Sequence, residues 1–309
     1  MGIRFGGTKR NKRRMRITFR GAAGKKARIA VIIAASVALT VAALVFFKPK
    51  TQLMNTAEMR KIADRGVLIV GVRTDVPHFA DSGVGFEIEL AERFARYLLP
   101  DTGAESAVKF VSVSAPTAST KLSDGSIDAA VALMQKGANG KFAYSYPYYT
   151  DECVAAVRHG DERRPIEEMN IGYVQNTAGS NALSRYISSR ETKVERTLLD
   201  KLLGRTPAAP ENAVVYKKTA FASYPDMLRA LETGGIDCAA IPRVYFERYA
   251  KEYNITAHTE KLGNIEYAIA VSADEPAIAQ LADVFLYELK QSGTLDEMLN
   301  KYGLKGAGE

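Results

Sequence analysis

Reactive side chains are sparse and scattered in this sequence. The three histidines, His78, His159 and His258, fit neither a nucleophile elbow nor an H-E-x-x-H helix. The two cysteines, Cys153 and Cys238, lie 85 residues apart with no C-x-x-C or Cys/His cluster, so no zinc site is expected. An exported chain can pair such cysteines, but two buried thiols is the reading preferred here. What remains are charged, aromatic and hydroxyl side chains beside turns. Arg73, Asp75, His78 and Phe79 follow one apolar run, Asn176 to Ser180 precede an amphipathic stretch, and Arg243 follows another run. By default the two arginines are solvated surface charges, Asp75 a turn former and His78 a loop histidine. Groups of this kind bind and orient a molecule; they offer no acid/base pair or nucleophile. Catalysis, metal and cofactor are therefore not expected.

Charge is distributed unevenly. Residues 1–28 carry eleven Lys or Arg and no acid, and removing those eleven from the formal net charge of +7 leaves −4 for the rest. The basic character belongs to a tail and does not indicate nucleic acid. Ile29 to Phe47 follows, nineteen residues interrupted only by Ser36 and Thr40. At ~1.5 Å per residue it nearly spans a ~30 Å hydrocarbon core. The flanking charge puts 1–28 in the cytoplasm and the remainder outside. A cleaved signal segment is the competing reading, and both export the domain. The expectation is a single-pass protein of the cell membrane with an extracytoplasmic domain.

The elements that must position the turn residues can be read next. Val67–Val72, Val108–Val113 and Ile127–Met134 read as strands, with an amphipathic helix over Phe86–Leu99 stopped by Pro100 and a short helix over Thr117–Leu122. The pattern restarts with strands at Cys153–Val157, Asn170–Val174, Val214–Lys217 and Ile236–Ile241 and a helix over Pro225–Leu231. Tyr267–Val271 and a helix over Pro276–Ser292 close the series. Continuous apolar strands alternating with helices predict an α/β fold with parallel sheet. One echo supports two similar lobes: Leu122-x-x-Gly125-x-Ile127-Asp128-x-Ala130 recurs as Leu231-x-x-Gly234-x-Ile236-Asp237-x-Ala239.

Eight landmarks in order carry a resemblance. They are Gly66 to Asp75 (GVLIVGVRTD), Pro77-His-Phe79, Gly85 to Leu90 (GFEIEL), Leu122 to Asp128, Tyr144 to Tyr149 (YSYPYY), Ile171 to Thr177, Leu231 to Asp237, and Ser292 to Leu295 (SGTL). Over about Gly66 to Gly303 the sequence resembles the extracellular solute-binding proteins, family 3, of amino-acid ABC transporters. The resemblance implies a two-lobed type II periplasmic-binding-protein fold with a central cleft, preceded here by one transmembrane helix. It divides the chain into a tail (1–28), an anchor (29–47), a linker (48–61), lobe 1 (62–150 and 270–309) and lobe 2 (151–269). Hinges would fall near Pro147–Glu152 and Tyr267–Val271. The insert 184–212 is longer than the family usually carries.

The resemblance also implies ligand groups. Phe79 matches an aromatic that stacks on the ligand, Asp75 shares its loop, and Thr177 matches the position that caps an anionic group. The family's arginine that forks a carboxylate falls on Ala138, its hydroxyl on Leu133, and its acid opposite the ammonium on Pro242. Lys136, Lys141 and Arg243 are nearby cations that can act as point charges but not as planar forks. The expectation is a binding protein for a small, possibly amino-acid-like solute, taken in other than the usual way. Its partner would be an ABC permease or another membrane protein. A tethered sensor or accessory domain, or less readily a dehydratase-like enzyme, are the alternatives.

Overall fold

The computed structural model describes residues 50–103, 107–137, 141–191 and 214–304. The tail, the apolar run 29–47, Ala138 and residues 192–212 of the insert lie outside those residues. Among the described residues no helix is long and apolar enough to cross a membrane.

Eight strands of the described chain form one sheet, and its order explains the two lobes. Parallel strands β1 (Leu68–Val72), β4 (Val108–Ser112) and β5 (Ala129–Val131) make one flank. Parallel strands β7 (Asn170–Val174), β8 (Lys217–Phe221) and β9 (Cys238–Pro242) make the other. Two long antiparallel strands, β6 (Phe142–Arg158) and β10 (Ile255–Ser272), run between the flanks, giving the order β4-β1-β5-β10-β6-β9-β7-β8. A two-stranded ribbon of β2 (Asp75–Val76) and β3 (Ala80–Asp81) stands apart.

The spans expected at Cys153–Val157 and Tyr267–Val271 are thus fragments of 17- and 18-residue strands. Pro147, Asp151 and Glu152 break the apolar pattern of β6 and disguise its continuity. Pro147, which has no N–H to give, sits opposite Ala268, where the pairing register slips on both sides. Further slips lie between Ala257 and Lys261 and between Lys261 and Asn264. Such irregularities bend a strand pair and mark where it yields.

The two flanks are built alike. In each, an aspartate of the repeated motif accepts an N–H at the start of the neighbouring parallel strand: Asp128 from Ile69 at 2.7 Å and Asp237 from Asn170 at 3.0 Å. Arginine closes each carboxylate, Arg65 on Asp128 and both Arg158 and Arg164 on Asp237. The motif's alanines pair with strand glycines, Ala130 with Gly71 and Ala239 with Gly172. Its isoleucines fill the space a side chain would need there. A Cβ on Gly71 would come within 2.7 Å of Ile127 Cδ1, and one on Gly172 within 2.3 Å of Ile236 Cδ1.

Side chains alternate across the sheet and so divide the core. Cys153, Ala155 and Val157 of β6 join an apolar cluster that continues through both lobes and takes in Leu90, Phe94, Ile171, Leu183 and Tyr267. Val154 and Ala156 face a lobe 2 cluster with Met227, Leu231 and Ile241, while Leu122, Ile127 and Met134 pack in a lobe 1 cluster. Cys153 and Cys238 are both buried free thiols. Cys238 pairs with Val157, four rungs from Cys153 on β6, which at ~3.4 Å per residue exceeds the reach of a disulfide.

Helices follow the expected stripes. The helix Phe86–Leu98 (α2, after α1 at Ala57–Arg65) buries Phe86, Leu90, Phe94 and Leu98. Residues 75–85 are held on its first turn, with Phe86 and Glu87 donating to the carbonyls of His78 and Phe79 at 2.9 and 2.8 Å. Gly85 permits the approach: a Cβ there would lie 2.3 Å from the Phe79 carbonyl oxygen.

Candidate functional site

All six parallel strands present their C-terminal ends to one cavity of about 1200 Å³ between the lobes. The residues following β1, β4 and β5 supply one wall: Arg73 and Asp75, Ser114, and Leu133 to Gly137. Those following β7, β8 and β9 supply the other: Gln175 to Ala178, Ala222 to Pro225, and Tyr245. Open parallel sheets place ligands at this end because loops and helix starts leave backbone donors there.

Three helices begin at the cavity. Ala115–Ser123 (α3), Ala178–Arg190 (α4) and Tyr224–Glu232 (α5) are capped by Ser114, Thr177 and Ser223, and all three caps line it. Each hydroxyl accepts an N–H of its helix's first turn, and Ser114 and Thr177 close reciprocal capping boxes with Thr117 and Ser180. Remaining first-turn donors and the positive ends of the helix dipoles face the enclosed space.

Charge on the wall is predominantly positive. Arg73, Lys136, Arg185 and Arg248 line it against one carboxylate, Asp75, among the described residues. Arg73 forks that carboxylate through Nε at 2.9 Å and Nη2 at 2.7 Å. This hydrogen bonding holds Asp75 below its usual range despite partial burial. Burial works to lower the Arg73 pKa, but Asp75, with Tyr245 and Glu87, outweighs it and the guanidinium stays charged. Arg73 lies 5.8 Å from the Tyr245 ring centre, and Arg248 donates to the Asp75 carbonyl at 3.0 Å. Both contacts cross between lobes, as does Asn181 Nδ2 donating to Gln135 Oε1 at 2.7 Å. Five tyrosines join the lining: Tyr224 and Tyr245, which stack at 4.7 Å, and Tyr144, Tyr249 and Tyr267.

Beneath the lobe 1 wall lies a buried acid. Glu87 is fully buried; its Oε1 accepts the Leu133 N–H at 2.7 Å and the Tyr148 hydroxyl, while Oε2 has no hydrogen-bond partner. Burial pushes this carboxyl up to about 7 against the pull of those donors and Arg73. Leu133 occupies left-handed backbone at φ 49°, a costly conformation for a branched side chain, and the Glu87 contact pins it. Asp151, on the crossing strand, is raised by burial to about 7 as well, while accepting the N–H groups of Glu152 and Val244.

The expected site residues divide between the wall and its supports. Asp75, Thr177 and Leu133 line the cavity, and Ala138 lies outside the described residues. Phe79 does not line it. That ring is fully buried, edge-on to Phe86 at 6.2 Å and Tyr149 at 5.2 Å, and it anchors the loop that presents Asp75. Arg243 is likewise absent from the lining, because Glu152 at the lobe crossing holds it at 2.8 Å. Arg73, first read as a surface charge, faces the cavity, and Pro242 forms wall. Missed altogether were Tyr245 and Arg248, on the seven-residue helix Arg243–Tyr249 (α6), too short to show a period in the sequence. A turn-residue reading could have found Ser114 and Ser223, since Ser-Ala-Pro and Ser-Tyr-Pro place a cap ahead of proline near a helix start.

Comparison with known proteins agrees with this geometry. The chain is 25% identical over 252 residues to the ABC transporter glutamine-binding protein GlnH of Bacillus subtilis, spanning 78% of this chain and 82% of that one. It is 24% identical over 256 residues to the membrane-bound lytic murein transglycosylase F of Stutzerimonas stutzeri, covering 80% of this chain but 48% of that protein. A crystal structure of a mutant ArgBP from T. maritima superposes with a TM-score of 0.57 at 23% identity, covering 79% of this chain and 98% of that one. The family model of bacterial extracellular solute-binding proteins, family 3, matches residues 68–305, and the chain belongs to that family.

Proposed function

We propose that this protein is a membrane-tethered, extracytoplasmic solute-binding protein that closes its lobes on a small polar solute and presents the closed form to an ABC permease. One observation carries the reading. Six strand ends and three capped helix starts from both lobes converge on a single cavity. A solute there would touch both walls at once, so its binding energy favours the closed arrangement. The slipped register of β6 and β10 supplies a place to bend. The naming of GlnH as an ABC transporter glutamine-binding protein supports the transport role. Tethering rests on residues 29–47 and the basic tail before them.

A second reading, a tethered accessory domain without a permease, is favoured by the match to a transglycosylase of which this chain covers 48%. A thermal-shift screen of the full chain in detergent against small metabolites tests the common part. A solute at ~100 times its Kd should add ~2.7 kcal/mol of stability and shrink the scattering radius. Co-purification of a permease and ATPase under crosslinking then separates the two readings. Protease protection in intact cells and spheroplasts tests the location: residues 48–309 should be cut from outside.

A further inference from the structure

We infer that the solute is a compact dianion of the dicarboxylate kind, not an α-amino acid whose ammonium must be met by a carboxylate. This deepens the binding reading above and rests on it. Among the described residues the cavity wall holds Arg73, Lys136, Arg185 and Arg248 against the carboxylate of Asp75; with Arg73 and Asp75 paired, three cations remain. Three capped helix starts add partial positive charge from two directions.

The single wall carboxylate is already engaged. Both Asp75 oxygens accept from Arg73, and its pKa is depressed accordingly. An incoming ammonium would compete with a bidentate guanidinium for it. Other acids near the wall are engaged as well. Glu87 lies beneath it with no solvent exposure, Asp226 accepts the Ser223 hydroxyl at 2.7 Å, Asp151 accepts the N–H groups of Glu152 and Val244, and Asp283, beside Lys136, accepts the Tyr146 N–H. Desolvating a cation inside this wall would leave it without a counter-charge, whereas two carboxylates would each find an arginine or lysine and a helix start.

Placement favours charges at two separate points. Arg73 from lobe 1 and Arg248 from lobe 2 meet at Asp75, with Arg73 5.8 Å from the Tyr245 ring centre, while Lys136 adjoins Gln135, which Asn181 bonds across the walls, and Arg185 stands one helical turn beyond Asn181. A ligand with an anionic group at each end would draw the lobes together at both. A monoanion would leave one cluster unanswered.

Calorimetry on the full chain in detergent, with glutarate, L-glutamate, L-glutamine and L-arginine as probes, tests the inference. Glutarate should bind at least as tightly as L-glutamate and at least ten times more tightly than L-glutamine or L-arginine. Arg248→Gln and Lys136→Gln should each weaken glutarate about tenfold, the loss of roughly one charge-assisted hydrogen bond. Tightest binding by L-glutamine or L-arginine, or L-glutamate far ahead of glutarate, would show a working ammonium site. The charge inference would then fall and solute binding would stand. Silence from all four probes would also overturn the dianion inference, leaving solute binding to the wider metabolite screen.

Discussion

The two lobes share their strand starts and differ at their strand ends. At the starts, Asp128 and Asp237 perform the same task on Ile69 and Asn170, and Ile127 and Ile236 occupy the space above Gly71 and Gly172. At the ends, lobe 1 offers the Arg73–Asp75 pair and a strained Leu133, while lobe 2 offers the Thr177 and Ser223 caps and the Tyr224–Tyr245 stack. One end of each flank therefore holds the fold together and the other lines the cavity. Residues at the starts must satisfy a backbone common to both lobes; those at the ends are free of that common constraint.

Breaking the shared unit should give the largest effect, and unequally. Asp128 is 2% exposed and Asp237 27% by side chain, the latter shared by two arginines. Asp128→Ala leaves a buried strand N–H and Arg65 unanswered and should cost about 3–5 kcal/mol. Asp237→Ala, with water able to reach the gap, should cost about 1–3 kcal/mol. Urea midpoints of the two variants measure the difference; equal losses would mean the lobes depend on their aspartates alike.

The second contrast is electrostatic. Behind the lobe 1 wall the Glu87 carboxyl is raised from an ordinary 4.5 to about 7, whereas the comparable buried acid of lobe 2, Asp151, lies on the crossing strand. A raised carboxyl binds its proton more tightly when folded. Its contribution is complete below about pH 4.5 and disappears as pH climbs through 7. Glu87→Gln keeps an oxygen to accept from Leu133 and Tyr148 without the charge. It should stabilise the protein at pH 8 by up to about 3 kcal/mol and do little at pH 5. Urea titrations at the two pH values decide; a gain equal at both would place the cost in packing rather than charge. Asp151, raised similarly at the lobe crossing, should leave some pH dependence behind in the variant.

Packing within the shared unit ranks third. Gly172→Ala drives a methyl to 2.3 Å from Ile236 Cδ1, with Met227 and Phe221 also close, and Gly71→Ala meets Ile127 at 2.7 Å. Each should cost about 1–3 kcal/mol, the lobe 2 change more. Ile236→Val removes the offending Cδ1 and should recover part of the loss in the Gly172→Ala background, though it costs stability alone. A double-mutant cycle in thermal melts reads that sign change.

Much of this construction could be read from residue order, because the relevant physics is local. The Gly-x-Ile-Asp echo, the Phe86 to Leu98 stripe and the proline stops all act within one turn or one strand, and they gave two α/β lobes. The long strands were hidden where Pro147, Asp151 and Glu152 interrupt an apolar run, since pairing there is decided by a partner more than 100 residues away. Thr177 came from the family resemblance, and Asp75 was legible as a turn residue. Arg73 and Arg248 were not, because an arginine's face depends on tertiary neighbours: a forked aspartate for one, a carbonyl across the cleft for the other. Phe79 entered through the family resemblance, as an aromatic that stacks on the ligand; in the structure Phe86 and Tyr149 flank it and it does not line the cavity.

The smallest effect should come from the contacts that join the walls. Asn181 to Gln135, at 2.7 Å, lies at the surface, where water competes for both amides, so its net worth is about 0.5–1.5 kcal/mol. Gln135→Ala should therefore barely move the unfolding midpoint. Opening is a different equilibrium: it breaks only the few contacts between walls, so the same loss is a large share of the difference between open and closed. A change of about 1 kcal/mol alters that ratio roughly fivefold. Scattering from the ligand-free variant should show a larger radius than the parent while its melt is unchanged. An unchanged radius would mean that Arg248 on the Asp75 carbonyl, and not the amide pair, holds the lobes together.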